Sequence, residues 1–291
     1  MTRKQLLFAL RRLSRHRLTT GINILGLTLG ILACLVIYLY VSFEFSYDRF
    51  HPDGDRIYRV LQTSVRPDGL KMNSAWMSGP FGPALRQEVS GLDAVTTLFT
   101  DDSRVRIPIP GKPDRVIPGI SENEREHITF ADTDYLKIFH YQWLAGNPAT
   151  ALRQPFSVVL TESEAERYFQ GGRPEDWLGR SLVYEDSLTV SVTGIVKDWD
   201  QNTDFGFKDL ISFSTLENSF LESYIEGWQR SGSGINVYVK LAPATTVAQV
   251  EQQFPAFAQR HMPRTKSTYS LQPLDDVHFN VAIQDQYGRR A

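Results

Sequence analysis

Residues 22–41 read INILGLTLGILACLVIYLYV, twenty consecutive positions without a charge. At about 1.5 Å rise per residue such a helix is about 30 Å long, the hydrocarbon thickness of a bilayer. No Asp or Glu precedes Glu44, whereas Arg3, Lys4, Arg11, Arg12, Arg15 and Arg17 all lie ahead of the span. Setting these six aside leaves 25 basic residues against 33 acidic ones, so the chain from Phe43 onward carries about −8 while the whole carries −2. Basic residues before a span and an acidic domain after it predict a cytoplasmic N-terminus. Tyr38 and Tyr40 fall near the outer end, where amphipathic rings favour the headgroup zone. A cleaved signal peptide has an apolar region of roughly 7–15 residues ending in small side chains. Here the run is longer and continues into Val41-Ser42-Phe43-Glu44-Phe45, which offers no such cleavage site. The expected layout is a cytoplasmic basic amphipathic segment at 1–18, a transmembrane helix at 19–43 and an extracytoplasmic domain at 44–291.

Within the span, Gly26, Gly30 and Cys34 recur at i, i+4 and i+8. Three small side chains on one face let a second helix backbone approach closely, so these residues are the expected helix-packing ridge. Ahead of it, Leu6, Leu7, Leu10 and Leu13 alternate with the cations at helical spacing. That pattern suits a helix lying in the inner membrane surface with its charges toward anionic lipid headgroups. The six cations are expected to set membrane topology.

The remaining sequence has the composition of a folded domain. Across 291 residues the hydrophobic share is 42 % and the charged share 22 %, which excludes wholesale disorder. Near-neutral net charge argues against a nucleic-acid partner. Cys34 is the only cysteine, which excludes a disulfide framework. Strands are expected at Arg56–Val65, Val95–Thr100, Ser103–Ile109, His127–Ala131, Phe156–Leu160, Ile235–Leu241 and Thr268–Pro273. Pro67-Asp68-Gly69 reads as a turn, and Leu182–Tyr184 with Ser187–Lys197 as a hairpin around Glu185-Asp186. Phe81, Leu85 and Val89 mark a short helix after Ser78. Thr161 with Glu164, and Thr246 with Gln249, have capping-box spacing. Val247, Val250, Phe254 and Phe257 make a helical stripe in which Pro255 is a point of kinking or shortening.

Sites for chemistry are scarce. There is no phosphate loop of the G-x-x-x-x-G-K-[ST] kind, no G-x-S-x-G elbow and no H-E-x-x-H pair, and Gly232-Ser233-Gly234 reads as a turn. His16, His51, His127, His140, His261 and His278 lack metal-ligand spacing. Asp198-Trp199-Asp200-Gln201-Asn202-Thr203-Asp204 resembles the start of a calcium loop. Thr203 nevertheless stands where the turn wants glycine, and Asp209 where a bidentate glutamate belongs, so a solvated polar loop is expected. Asp275-Asp276 with His278 reads as a surface turn. No catalytic residue, cofactor or metal ligand is expected.

Asn23-Ile24-Leu25-Gly26-Leu27, then Phe45-Ser46-Tyr47-Asp48-Arg49-Phe50-His51-Pro52 and Asp55-Arg56-Ile57-Tyr58-Arg59-Val60, resemble the signature of MacB-like/FtsX-like ABC transporter permeases. Similar to that family as well are Ala131-Asp132-Thr133-Asp134-Tyr135-Leu136-Lys137-Ile138-Phe139, Leu144-Ala145-Gly146-Asn147-Pro148 and Val158-Val159-Leu160-Thr161-Glu162-Ser163-Glu164-Ala165. Arg167-Tyr168-Phe169, Leu178-Gly179, Val192-Thr193-Gly194-Ile195-Val196-Lys197-Asp198 and Leu271-Gln272-Pro273-Leu274-Asp275-Asp276-Val277-His278 extend the match along nearly the whole chain. The resemblance implies an α+β fold: one N-terminal transmembrane helix followed by a two-lobed mixed α/β periplasmic core. Its porter-like lobe would take about 46–120 and 205–291, and its inserted lobe about 121–204. It further implies a non-catalytic permease of the inner (plasma) membrane in an ABC-type exporter or mechanotransmission complex. The implied partners are a separate ABC ATPase subunit, a second permease (homodimer or paired), membrane lipid and, where the assembly has one, a periplasmic adaptor. Gln201-Asn202-Thr203-Asp204 departs from the relatives' Pro/Ser/His-containing turn. Reaching Arg290-Ala291 before any second span, the chain reads as the N-terminal part of a longer or truncated permease. The alternative is a single-span extracytoplasmic sensor or ligand-binding receptor, which would continue into a second span and a signalling module. A membrane-anchored hydrolase is a third reading, for which no nucleophile–base arrangement is legible.

Overall fold

The computed structural model describes residues 17–66, 68–117, 126–228, 234–280 and 283–284. The chain divides into two compact units at Tyr47/Asp48. In the first, α1 (Arg17–Glu44) is a helix of 28 residues, about 42 Å long at 1.5 Å per residue. Its most apolar window has a mean hydropathy of 2.5, and none of its residues is buried. Apolar all round and uncovered, such a helix suits lipid rather than water. Among the described residues it is the one helix long and apolar enough to cross a membrane. It exceeds the expected span of 19–43 by two residues at its start and one at its end.

In the second unit, a single 3-10 turn at Gly54–Arg56 leads into β1 (Ile57–Val65) and β2 (Lys71–Ser74). Next come β3 (Leu92–Ser103), β4 (Val105–Ile107), β5 (Arg115–Ile117), β6 (Glu126–Ala131), β7 (Trp143–Gly146) and β8 (Ser157–Thr161). The chain then forms β9 (Ser181–Tyr184), β10 (Leu188–Val196), β11 (Asp209–Ser212), β12 (Ile235–Leu241), β13 (Thr268–Pro273) and β14 (Ile283–Gln284). All belong to one mixed sheet of order β14-β2-β1-β12-β3-β6-β11-β8-β10-β9-β4-β5, with β13 on β1 and β7 on β10. β6–β11 and β8–β10 are parallel pairs, whereas β1–β12, β12–β3, β3–β6 and β11–β8 are antiparallel. Strands from both ends of the domain sequence, β1, β2, β12, β13 and β14, thus gather on one side. β4 and β11, which fall in 46–120 and 205–291, pair with strands of 121–204.

β8, β11 and β12 are buried along their whole length, as in a sheet covered on both faces. Successive side chains then serve different cores. Val158 and Leu160 join Phe81, Tyr168 and Phe257, whereas Val159 joins Tyr135, Phe139 and Phe205. Over the first core lie α2 (Phe81–Glu88), α4 (Glu162–Phe169), α5 (Pro174–Trp177), α8 (Val247–Glu251) and α9 (Phe254–His261). α6 (Ser214–Glu217) and α7 (Glu222–Ile225) add Leu216 and Ile225 to it. The second core is covered by α3 (Tyr135–Ile138), by Leu274 of α10 (Leu274–Val277) and by the irregular segment carrying Phe205 and Phe207. Burying each large side chain contributes about 1.5–3 kcal/mol relative to exposure.

Tertiary partners moved several boundaries read from the sequence. The two strands expected at Val95–Thr100 and Ser103–Ile109 begin as one, because β12 on one edge and β6 on the other hold β3 extended through Asp101 and Asp102 to Ser103. The Thr246–Gln249 capping box forms, while the stripe that follows breaks at Gln252-Gln253 and restarts as α9 with Pro255 in its first turn. The box expected at Thr161 and Glu164 does not form. Its place is taken from 35 residues away: Asp198 accepts hydrogen bonds from the Ser163 N–H at 2.8 Å and from the Ser163 hydroxyl. Glu164 turns inward instead, where it pairs with Arg167 at 2.6 Å and Lys208 at 3.5 Å. At the end of β7, Gly146 has φ +89, and a Cβ there would lie 2.4 Å from the Thr193 carbonyl oxygen.

Candidate functional site

Of the residues assigned to topology, Arg17 opens α1, whereas Arg3, Lys4, Arg11, Arg12 and Arg15 lie outside the described residues. Gly26, Gly30 and Cys34 fall within α1; nothing comes within 4 Å of a Cβ built at either glycine, and Cys34 is exposed. The helix therefore presents the three small residues on one open face.

Three carboxylates of the acidic run at 198–209 are directed to separate partners. Asp198 caps α4 through Ser163. Asp204 accepts from His278 Nδ1 at 3.0 Å. Asp209, buried at the start of β11, accepts from the hydroxyls of Tyr168 and Tyr184, each at 2.7 Å. His278, expected at a surface turn, has a side chain only 2 % exposed.

Two of these residues belong to a buried polar joint at the start of the domain. Asp48, the first residue after the break between the two units, has φ 56, a left-handed conformation that Asp tolerates better than most residues. Its N–H donates to the Asn202 carbonyl oxygen at 3.0 Å. Its side chain, 1 % exposed, receives the Thr203 hydroxyl and the Asp204 N–H, the latter at 3.2 Å. His51 Nε2 approaches the same carboxylate at 3.3 Å. Thr203 Oγ1 in turn accepts from the Phe205 N–H at 2.9 Å. Asp204 then links this loop to His278. One carboxylate thus joins residues 48–51 to the loop at 202–205, and the neighbouring carboxylate carries the connection to the segment after α10.

Aromatic rings seal the joint. His51 lies edge-on to Phe139 and Trp199 with centroids 5.1 and 5.4 Å apart, and Phe50 lies 4.8 Å from Trp199. Phe139 and Phe205 continue the stack at 4.3 Å. Tyr141 packs on Trp199 at 4.4 Å and shares a 2.8 Å hydrogen bond with Tyr135, and burial pushes its phenol up to about 12. It remains a neutral donor at any physiological pH. Beside this wall, the buried Arg59 donates to Gln272 at 3.0 Å, and Gln272 donates to Asp276 at 2.8 Å. Asp53, just after the joint, is held at about 2, chiefly by hydrogen bonds from Lys240 and Arg56. Buried charges with several partners each fix a conformation, because any displacement leaves one of them unsatisfied in a medium of low dielectric.

This arrangement holds segments together and has no access for a substrate: the His51 side chain is 0 % exposed. The sequence reading missed the joint because its members lie up to 230 positions apart; the one signal was the polar density of the Asp48-Arg49-Phe50-His51 and Asn202-Thr203-Asp204 stretches.

The profile of the MacB-like periplasmic core domain family matches residues 20–257. No curated protein matches this chain. Among solved structures, a domain assigned to a permease protein from Porphyromonas gingivalis is similar with a TM-score of 0.59 at 20 % identity, over 77 % of this chain and 92 % of that one. The periplasmic region of MacB from Actinobacillus actinomycetemcomitans is similar with a TM-score of 0.50 at 14 % identity, over 74 % of this chain and 88 % of that one. At these identities the likeness is one of fold.

Proposed function

This chain belongs to the MacB-like periplasmic core domain family, and from that premise we propose that it serves as the permease component of an ABC-type exporter or mechanotransmission complex. In this reading α1 anchors it in the inner membrane with a cytoplasmic N-terminus, and the domain from Asp48 works on the periplasmic side. ATP hydrolysis belongs to a separate cytoplasmic subunit. A second permease packs on the Gly26, Gly30 and Cys34 ridge. The single observation that carries the reading is the Asp48 joint. Force entering the domain along the covalent chain at Tyr47–Asp48 meets a buried polar lock instead of a compliant loop, and the lock passes it to 202–205 and to His278. The lobes at 46–120 with 205–291 and at 121–204 are then the parts that move. A coupling device of this kind needs two states that nucleotide binding populates differently.

The test uses the permease reconstituted in liposomes with its ATPase subunit. Cysteines replacing the exposed Asp68 and Glu175, in a Cys34→Ser background, carry spin labels on the two sides of the sheet. The expected result is a change in label distance on adding a non-hydrolysable ATP analogue, lost in Asp48→Ala. Identical distances with and without nucleotide would refute the coupling.

A further inference from the structure

At the end of β1 away from Ile57, several parts of the domain come together. β1 and β2 form a hairpin in which Val65 pairs with Lys71, and Arg66 donates its N–H to the Leu70 carbonyl oxygen at 2.9 Å. Thr268 of β13 pairs with Thr63, and the Gln62 side-chain amide donates to the Ser267 hydroxyl at 2.8 Å. Arg264 and Lys266 are thereby held beside the hairpin. Ile235, where β12 starts, pairs with Phe99 and bridges to Met77, so Asp101 and Asp102 of β3 reach past it at this same end. Over them lies α7. Its Tyr224 ring is 5.8 Å from Phe99, and Phe220 and Tyr224 line one hollow with Asp101 and Asp102. The helix is seated closely, because a Cβ on Gly79 would stand 2.0 Å from the Ile225 carbonyl oxygen.

This end is unusual in what it leaves in water. From Asp48 onward the exposed large apolar side chains among the described residues are Val65, Leu70, Val116, Phe156, Leu178, Phe220, Tyr224 and Phe279. Four of these eight, Val65, Leu70, Phe220 and Tyr224, are gathered here, and such clustering marks an interaction surface. Charges of opposite sign flank them. On the hairpin side Arg66, Lys71, Arg264 and Lys266 are exposed, and none has an ion pair among the described residues. On the α7 side Glu222 and Glu226 are exposed and equally unmatched, with no Lys or Arg between 209 and 228. Elsewhere exposed Arg104 and Arg260 have found Asp186 and Glu88. The two stripes adjoin, since Trp228, two residues after Glu226, lines one hollow with Gln62 and Arg264. A partner of a single charge sign would satisfy one stripe and oppose the other. A second copy turned by a two-fold axis satisfies both, because an isologous contact sets each stripe against its opposite.

We propose that this end of the domain pairs with the same end of a second copy, the Arg66–Lys71 hairpin of each meeting Glu222 and Glu226 of the other around the four apolar side chains. The inference rests on the anchoring of α1 for one thing only: confining both copies to one membrane raises their effective concentration, so a modest contact suffices. Two differently tagged full-length chains, one Asp68→Cys and one Ser223→Cys, both with Cys34→Ser, are co-expressed in one membrane and treated with a short bis-maleimide. The crosslink from 68 to 223 should exceed that from 68 to a Glu175→Cys chain by about tenfold. Arg66→Glu with Lys71→Glu in the first chain should lower the yield by about tenfold, and so should Glu222→Lys with Glu226→Lys in the second, since each puts like charges together. Combining the two reversed chains should restore the crosslink, a rescue that misfolding does not give. Gly30→Leu in both chains should leave the yield unchanged, which keeps this contact distinct from the helix ridge. Equal yields at 223 and 175, or no rescue in the combined pair, overturn the proposal. A crosslink that Gly30→Leu abolishes while the charge reversals spare it belongs to the ridge and overturns it too. Quenching of a fluorophore on Asp68→Cys by spin-labelled phosphatidylglycerol, with no 68–223 crosslink, assigns the surface to lipid and overturns the commitment to a second copy.

Discussion

Replacing Asp48 by alanine tests the joint directly. Three donors lose their acceptor: the buried His51 Nε2 and the half-buried Thr203 hydroxyl and Asp204 N–H. Each donor left unsatisfied costs about 1–3 kcal/mol. Removing the carboxylate also relieves its own desolvation, which offsets part of that sum. Alanine at φ 56 adds backbone strain, of order 1 kcal/mol. A loss of about 4 kcal/mol is therefore expected. At roughly 2–4 °C per kcal/mol for a domain of this size, the melting temperature falls by about 8–16 °C. The assay is urea unfolding of the full chain in neutral detergent, followed by tryptophan fluorescence, since Trp199 packs on both Phe50 and His51. Asp48→Asn keeps an acceptor oxygen and tolerates the left-handed backbone, so it should cost about 1–2 kcal/mol. A double-mutant cycle with Thr203→Val should return a coupling above about 1 kcal/mol. An Asp48→Ala protein within about 1 kcal/mol of the parent would show that the lock bears no load, and the coupling reading would lose its physical basis.

Other expectations are narrower. The Asp53 carboxyl should titrate near 2 by carbon NMR, and Lys240→Met should move it back toward 3.8. Because its folded value is depressed, its contribution to stability is present above pH 3.8 and lost as pH falls toward 2; an Asp53 that titrates normally in the parent protein contradicts the Lys240 contact. Gly146→Ala meets the Thr193 carbonyl oxygen besides its left-handed φ, whereas Gly179→Ala at φ +78 has nothing within 4 Å. The first should cost at least about 2 kcal/mol and the second about 1, measured by thermal unfolding. Gly26→Leu or Gly30→Leu should weaken association of the permease in membranes, read by crosslinking, and unchanged association removes the packing ridge. Glutamate at Arg11, Arg12, Arg15 and Arg17 should disturb orientation; protease that still reaches only the C-terminal domain from outside would contradict the charge argument.

The readability of the fold varied with the range of the forces involved. β12 and β13 were placed to the residue because alternating or continuous apolar runs state their own burial. The Glu185-Asp186 hairpin was equally plain, and both residues adopt positive φ, 44 and 60. By contrast, β7, β11 and α3 are only four residues each and carry no periodicity of their own. They form because the sheet offers an edge or the core a hollow. The cap of α4 failed for the same reason: Thr161 was available locally, but Asp198 reached the Ser163 N–H from another strand end.

By itself the sequence determined the chain's large-scale partition, a greasy helix flanked by cations and an acidic mixed α/β domain, because hydrophobicity and charge sum over many neighbouring residues. Only the tertiary structure decided which polar residues meet. Asp48, Thr203, Asp204 and His278 are unremarkable polar residues in a string, and become a lock once packing brings them together and buries the Asp48 and His278 side chains. Burial strengthens each hydrogen bond and makes its loss costly, and burial belongs to the packed whole rather than to any local stretch.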